Sequence, residues 1–210
     1  SGEWAALLFI NLFNLFLIIF IKTYRKTIVS TFISLIILIF LSGLDDRILK
    51  RINVTFDEIK SSNNPLFFAS AHNIIYLSAF DMFLDNKIIG IGPKNYRKFC
   101  KKEEYNNYFE IYEGDCFSHP HNTYIQLLTE TGILGLIPIL ILFIFLLYYF
   151  LSRIKNYVIK NYSSKIIESE IMFFVALFIT FFPYVPTGNF FNNWLSAIYF
   201  LPIGFILYTQ

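Results

Sequence analysis

Nothing charged interrupts the stretch Ile133 to Leu151, ILGLIPILILFIFLLYYFL. A run of this kind is close to the ~20 apolar residues that a helix needs to cross the hydrocarbon core of a bilayer. In water, such a helix has to bury its whole circumference, which a chain of 210 residues can do once but not repeatedly. Four more runs of the same character follow from the sequence: Ala5 to Ile21, Thr27 to Leu44, Ile166 to Phe182 and Phe191 to Tyr208. Only 15% of the residues are charged while 56% are hydrophobic, against about 25% charged in a soluble domain. The expected fold is therefore an all-α integral membrane protein with about five transmembrane helices.

The short connections fix an orientation. Lys22, Arg25 and Lys26 follow the first run, and Arg153, Lys155, Lys160 and Lys165 follow the third. With five spans both clusters lie on one side, and the positive-inside rule makes that side the cytoplasm. The connection from Asp45 to Gly132 then lies outside, in the periplasm, and it is too long to be a simple link. The expected organisation is 1–44 as the first two transmembrane helices, 45–132 as a partly helical periplasmic loop domain, and 133–210 as the last three helices. Pro183 to Asn189 makes the outer turn between the last two. Asn11 and Asn14 share one face of the first helix and are expected to point at other helices. Ser1-Gly2-Glu3 runs straight into Trp4 and apolar residues with no Met or signal-peptide head, so further N-terminal helices are expected upstream. A net charge of +2 in scattered clusters gives no stripe for nucleic acid.

Inside the loop, Ser61 to Pro65 is a helix breaker. Ala71 to Asp85 reads as an amphipathic helix with His72, Tyr76, Ala79 and Phe83 on one stripe, and Gly90-Ile91-Gly92-Pro93 ends it. Asn95 to Lys102 reads as a short basic helix or turn. From His119 the chain is expected to be helical to about Thr131, with Gly132 allowing a bend into the third span.

Chemistry concentrates at His119-Pro120-His121-Asn122. An imidazole titrates near neutrality and can take a proton from an attacking hydroxyl. Asn122 could orient a ring or bind a sugar. Zinc needs three or four ligands. His72 could supply a third, but no supporting spacing is present, so no metal is assigned. The ordinary alternative is a histidine pair that only caps and braces a loop. Lys94 and Arg97 beside the two glycines could meet a phosphate, although the turn alone is more simply a helix end and lacks a dinucleotide or Walker pattern. Arg47, Lys50 and Arg51 could meet lipid headgroups. Cys100 and Cys116 are the only cysteines. Both lie in the loop, where an oxidising compartment favours a disulfide over two free thiols.

The order Gly90-Ile91-Gly92-Pro93, then His119-Pro120-His121-Asn122-Thr123-Tyr124-Ile125-Gln126-Leu127-Leu128, then Glu130-Thr131-Gly132-Ile133-Leu134-Gly135 resembles the C-terminal half of the bacterial O-antigen ligase and O-antigen polymerase superfamily. Ser1-Gly2-Glu3 ahead of an apolar run is similar to that family's motif at the head of a span. The resemblance implies a GT-C-like membrane glycosyltransferase of the inner membrane, acting on its periplasmic face without cofactor or metal. Its donor would be a glycan on undecaprenyl pyrophosphate. Its acceptor would be a sugar hydroxyl, on lipid A core or on another lipid-linked polysaccharide repeat. The family's histidine followed by Asn matches His121, the implied general base, with His119 orienting or binding sugar. Trp4 and His72 stand where the family usually has arginines, so Lys94, Arg97 or a cationic His72 would hold the pyrophosphate. A transporter of lipid-linked sugars would need charged or broken helices at the midplane, which the runs do not show. A non-catalytic or degenerate homologue is the other alternative.

Overall fold

Helix is the only backbone form that closes its hydrogen bonds within one apolar segment, and the apolar runs are all helical. The computed structural model describes residues 2–42, 50, 53, 70–110, 116–160, 165–182 and 187–208. Among these the helices are α1 (Gly2–Phe20), α2 (Arg25–Ser42), α3 (Ser70–Asp85), α4 (Tyr96–Phe99), α5 (Glu103–Glu110), α6 (Thr123–Lys160), α7 (Lys165–Thr180) and α8 (Asn193–Tyr208). No strand occurs among the described residues. Arg47, Arg51, the breaker at 61–65 and Pro183 to Pro186 lie outside the described residues.

One helix segment, Thr123–Asn156, is long and apolar enough to cross a membrane by length and composition. Its outward residues are Ile133, Leu134, Ile137, Ile141, Ile144, Phe145 and Leu151, all exposed. α6 packs on α7, α7 on α8 and α1, and α1 on α2. Leu17, Ile21, Leu146, Phe150, Phe174, Leu177, Phe181 and Ile206 form the bundle core. Asn14 is buried and Asn11 half-buried, on the side of α1 that meets this core. At one end of the bundle, Glu168 accepts from the backbone N–H of Thr23 at 3.2 Å. Glu170 pairs there with Arg153 at 3.3 Å. The basic turn 22–26 and the basic end of α6 are thereby gathered at the same end.

A second core holds α3, α4 and α5 together through Ile74, Ile75, Ala79, Met82, Ile91, Tyr96, Cys100 and Tyr105. It corrects the expected stripe. Tyr76 and Phe83 are only half-buried, and the buried side of α3 is Ile74, Ile75, Ser78, Ala79 and Met82. Spacing alone cannot orient this helix, because it is apolar almost all round. Tyr105 donates from its hydroxyl to Asp85 at 2.7 Å, and Tyr96 donates to the carbonyl of Ile75 at 3.2 Å. Cys100 and Cys116 are disulfide-bonded, with Cα atoms 5.9 Å apart.

α6 kinks at Gly132, against the loop that follows α3. Gly132 has φ +63°, inside the left-handed region, which costs little without a Cβ. In a straight helix, Ile133 and Leu134 would donate to the carbonyls of Thr129 and Glu130. Here they donate to Lys87 and Ile88 instead, at 2.9 and 3.2 Å. The freed carbonyls accept from Ile91 and Gly92 at 3.0 and 2.9 Å. Two helical bonds become four bonds to the loop that follows α3, so no backbone group is orphaned by the bend. There is no room for a side chain: a Cβ on Gly132 would stand 2.3 Å from the Ile88 oxygen.

Candidate active site

Residues 116–122 are not helical, which corrects the expectation that helix begins at His119. His121 has φ +55°, a left-handed conformation outside the right-handed helical region. Asn122 ends the irregular segment. Its Oδ1 accepts from the backbone N–H groups of Tyr124 and Ile125 at 3.0 and 3.1 Å, the bonding of an N-cap. Asn122 is buried, and its side-chain oxygen caps α6.

His119 is likewise committed. Its Nδ1 lies 2.8 Å from Ser118 Oγ, and its Nε2 lies 3.2 Å from the Thr187 carbonyl. A carbonyl only accepts, so Nε2 carries the proton and Nδ1 accepts from the serine hydroxyl. Burial, then the neighbouring His121, push the His119 pKa down to about 4, against a smaller upward pull from the Thr187 carbonyl. His119 is a neutral ring at neutral pH.

His121 is less enclosed. Its ring centroid is 4.2 Å from that of His119 and 5.5 Å from Phe117, which meets it edge-on. Burial lowers its pKa from the ordinary imidazole value, so it too is neutral at pH 7. Its backbone is fixed by Thr187, whose N–H donates to the His121 carbonyl at 2.8 Å. Thr187 therefore grips both histidines, and its Oγ1 also lies 2.9 Å from Thr123 Oγ1.

The polar residues further along α6 hold the surroundings. Gln126 is fully buried. It donates to Glu130 and Asn189 at 2.9 and 2.8 Å, and accepts from the Phe190 N–H at 2.9 Å. Glu130, also fully buried, accepts from the backbone N–H groups of Lys94 and Tyr96, both at 3.0 Å. The Tyr124 hydroxyl donates to the Phe181 carbonyl at 2.6 Å. Thr187, Gln126 and Glu130 carried no assigned role in the sequence. The i, i+4 spacing of Gln126 and Glu130 on one helix face was the available signal; Thr187 offered none.

Glu130 thus docks the glycine turn onto α6, eight helical residues past Asn122, or about 12 Å along the axis. Lys94 and Arg97 have exposed side chains; the Lys94 backbone is held at the level of Glu130, and Arg97 lies one turn before Cys100, which is bonded to Cys116 ahead of the histidines. His72 falls in the first turn of α3, and its side chain lies outside the described residues. Among the described residues, no cluster of three or more His, Cys, Asp or Glu is placed to hold a metal ion.

A family model described as O-antigen ligase matches residues 2–140, which takes in α1, α2, the loop region and the kinked start of α6. No curated protein and no solved structure matches the chain. The chain belongs to the O-antigen ligase family.

Proposed function

We propose that this member of the O-antigen ligase family is a membrane glycosyltransferase with His121 as its general base. The donor is a glycan on undecaprenyl pyrophosphate, and the acceptor is a sugar hydroxyl on lipid A core or on another lipid-linked repeat. The observation that carries this reading is the placement of His121, less enclosed than His119 and 4.2 Å from it, at the non-helical head of α6. The ring nitrogens of His119 are both engaged by Ser118 and Thr187. His121 is half-buried, neutral and pinned through its backbone. One ring braces, and the other takes the proton.

In the proposed step, the acceptor oxygen attacks the anomeric carbon while His121 receives the hydroxyl proton. The bond from that carbon to the pyrophosphate oxygen breaks, and the electron pair leaves with the pyrophosphate. One displacement inverts the anomeric configuration and needs neither a metal nor a protein nucleophile. Lys94 and Arg97, with His72 when protonated, neutralise the charge that grows on the leaving group.

The proposed topology has five spans, α1, α2, α6, α7 and α8, in the bacterial inner membrane. Residues 45–132 form the periplasmic loop domain between 1–44 and 133–210. The gathering of both basic clusters at one end of the bundle, through Thr23–Glu168 and Arg153–Glu170, supports this orientation. His121 precedes the opposite end of α6.

The test is glycan transfer from a purified lipid-linked donor. His121→Ala is expected to lose about 10²–10⁴ in rate with donor binding retained. His121→Gln is expected not to rescue, because an amide hydrogen-bonds but does not take the proton. Near wild-type turnover in His121→Gln would end the assignment.

A further inference from the structure

α3 is apolar on two opposite sides. At 100° per residue, Ile74, Ile75, Ser78, Ala79 and Met82 fall on one side and are buried. Leu77, Phe80 and Leu84 fall on the other, and are 52%, 50% and 43% exposed. Asp81 lies at the margin between the two sides, and Asp85 ends the buried side, where it accepts from Tyr105. A helix resting on a soluble domain presents charged and polar residues to water. The outward side of α3 presents Leu, Phe and Leu instead. Just beyond its end, Ile88 and Ile89 are exposed still further, at 66% and 72%.

The depth of this surface is fixed by the stitching at the kink. Leu134 donates to the Ile88 carbonyl and Ile133 to that of Lys87. Ile88 and Ile89 therefore stand beside the first turn of the apolar part of α6, whose Ile133 and Leu134 are themselves exposed. The exposed apolar residues that follow α3 thus adjoin exposed Ile133 and Leu134 at the head of the apolar part of α6. Lys87 is exposed at the junction, where a long aliphatic stem can lie along lipid and its ammonium reach a phosphate.

We infer that α3 is a lipid-contacting helix: its Leu77, Phe80 and Leu84 side, with Ile88 and Ile89, lies in the interfacial layer of the bilayer and takes the lipid surface as its partner. The inference rests on α6 crossing the membrane, as proposed above. The argument is that exposed apolar residues at the end of α3 adjoin the exposed head of that span, at a depth set by backbone hydrogen bonds. It gives α3 a task in addition to core formation. The helix moors the glycine turn, with Lys94 and Arg97, at the level where a lipid pyrophosphate emerges.

Both native cysteines are in the disulfide, so an introduced cysteine is the only free thiol. Nitroxide labels at Leu77→Cys, Phe80→Cys and Leu84→Cys test three exposed positions independently, so a folding failure at one leaves two. The protein is placed in vesicles of phosphatidylethanolamine and phosphatidylglycerol, and collisions with oxygen and with a water-soluble nickel chelate are measured. Oxygen is expected to dominate at all three, at a shallower depth than for Phe145→Cys in the middle of α6. Lys98→Cys, exposed on α4, is expected to favour the nickel chelate. Dominant nickel collisions at the α3 positions, with Phe145→Cys deep in lipid, would overturn the inference and leave the span intact. Shielding from both reagents would overturn it in favour of another protein segment covering α3. Nickel access at Phe145→Cys would instead remove the membrane reading itself.

Discussion

Thr187 donates its backbone N–H to the carbonyl of His121 at 2.8 Å, and the same residue's carbonyl receives the Nε2 proton of His119. One residue of the α7–α8 connection therefore sets the position of both rings. Thr187→Pro removes the N–H and is expected to lower the rate of glycan transfer, while Thr187→Ala keeps both backbone bonds and loses only the link to Thr123. The alanine variant is expected to cost about 1 kcal/mol of stability and leave the rate near wild type. Thermal unfolding and transfer assays on the two variants separate the effects; equal rates would show that the backbone bond does not position His121.

Glu130 serves three donors: Lys94 N–H, Tyr96 N–H and the Gln126 amide. Glu130→Ala leaves the Tyr96 N–H buried without an acceptor and the Lys94 N–H partly so, while the Gln126 amide keeps Asn189; each unsatisfied buried group costs about 1–3 kcal/mol. The variant is expected to be destabilised by roughly 3 kcal/mol or more and to release the glycine turn, seen as new proteolysis between Ile88 and Arg97. Glu130→Gln keeps an acceptor for one backbone donor and turns a second N–H against another. Its loss is expected to be intermediate in denaturant titration.

Glycine substitutions should divide sharply by location. Gly132→Ala places a Cβ 2.3 Å from the Ile88 oxygen at a φ of +63°, so the four-bond stitch has to open, and a loss of at least about 2 kcal/mol is expected. Gly204 in α8 has nothing within 4 Å of an added Cβ. Gly204→Ala is expected to be neutral or to stabilise by about 0.5–1 kcal/mol through reduced backbone freedom. Unfolding in detergent measures both.

The pH dependence follows from depressed histidine pKa values. The folded His119 protonates near pH 4, whereas the unfolded ring protonates near its ordinary value of 6.5. Between these values the unfolded state binds the extra proton, so stability is intact above pH 6.5 and falls as the pH drops toward 4. His119→Gln should flatten that fall while His121→Gln leaves most of it. Transfer rate should hold through neutrality and decline only below the ordinary imidazole pKa, because burial also lowers His121. A rate that rises on acidification would contradict a neutral base.

The apolar segments were plain in the sequence because length and lack of charge are one-dimensional properties. α1, α2, α7 and α8 follow the expected runs to within a few residues, and α6 extends past the expected end at Leu151 to Lys160. The start of α6 was misplaced because His121 adopts a positive φ, which a non-glycine residue does not announce. The buried side of α3 was misjudged because Leu77, Phe80 and Leu84 compete with Ile74, Ile75 and Met82 for the same role. His119, His121 and Asn122 were picked out together, yet their different employment depends on Thr187, distant in the chain and brought close only by the packing of α6 against α7.

The kink at Gly132 divides α6 into a short piece and a long one, and on the proposed topology the short piece lies outside and would work as a ruler. Residues 123–131 make nine helical residues, about 13 Å of axial rise, between the Asn122 cap and the start of the apolar segment. The polar layer on one face of a bilayer is roughly 5–8 Å deep. On the proposed topology the histidine pair is thus held a little above the phosphates, while the glycine turn rests at their level. A sugar joined directly to a lipid pyrophosphate would rise into that gap, and a sugar further along the glycan would overshoot it. The length of one helical stub would then choose which glycosidic carbon meets His121.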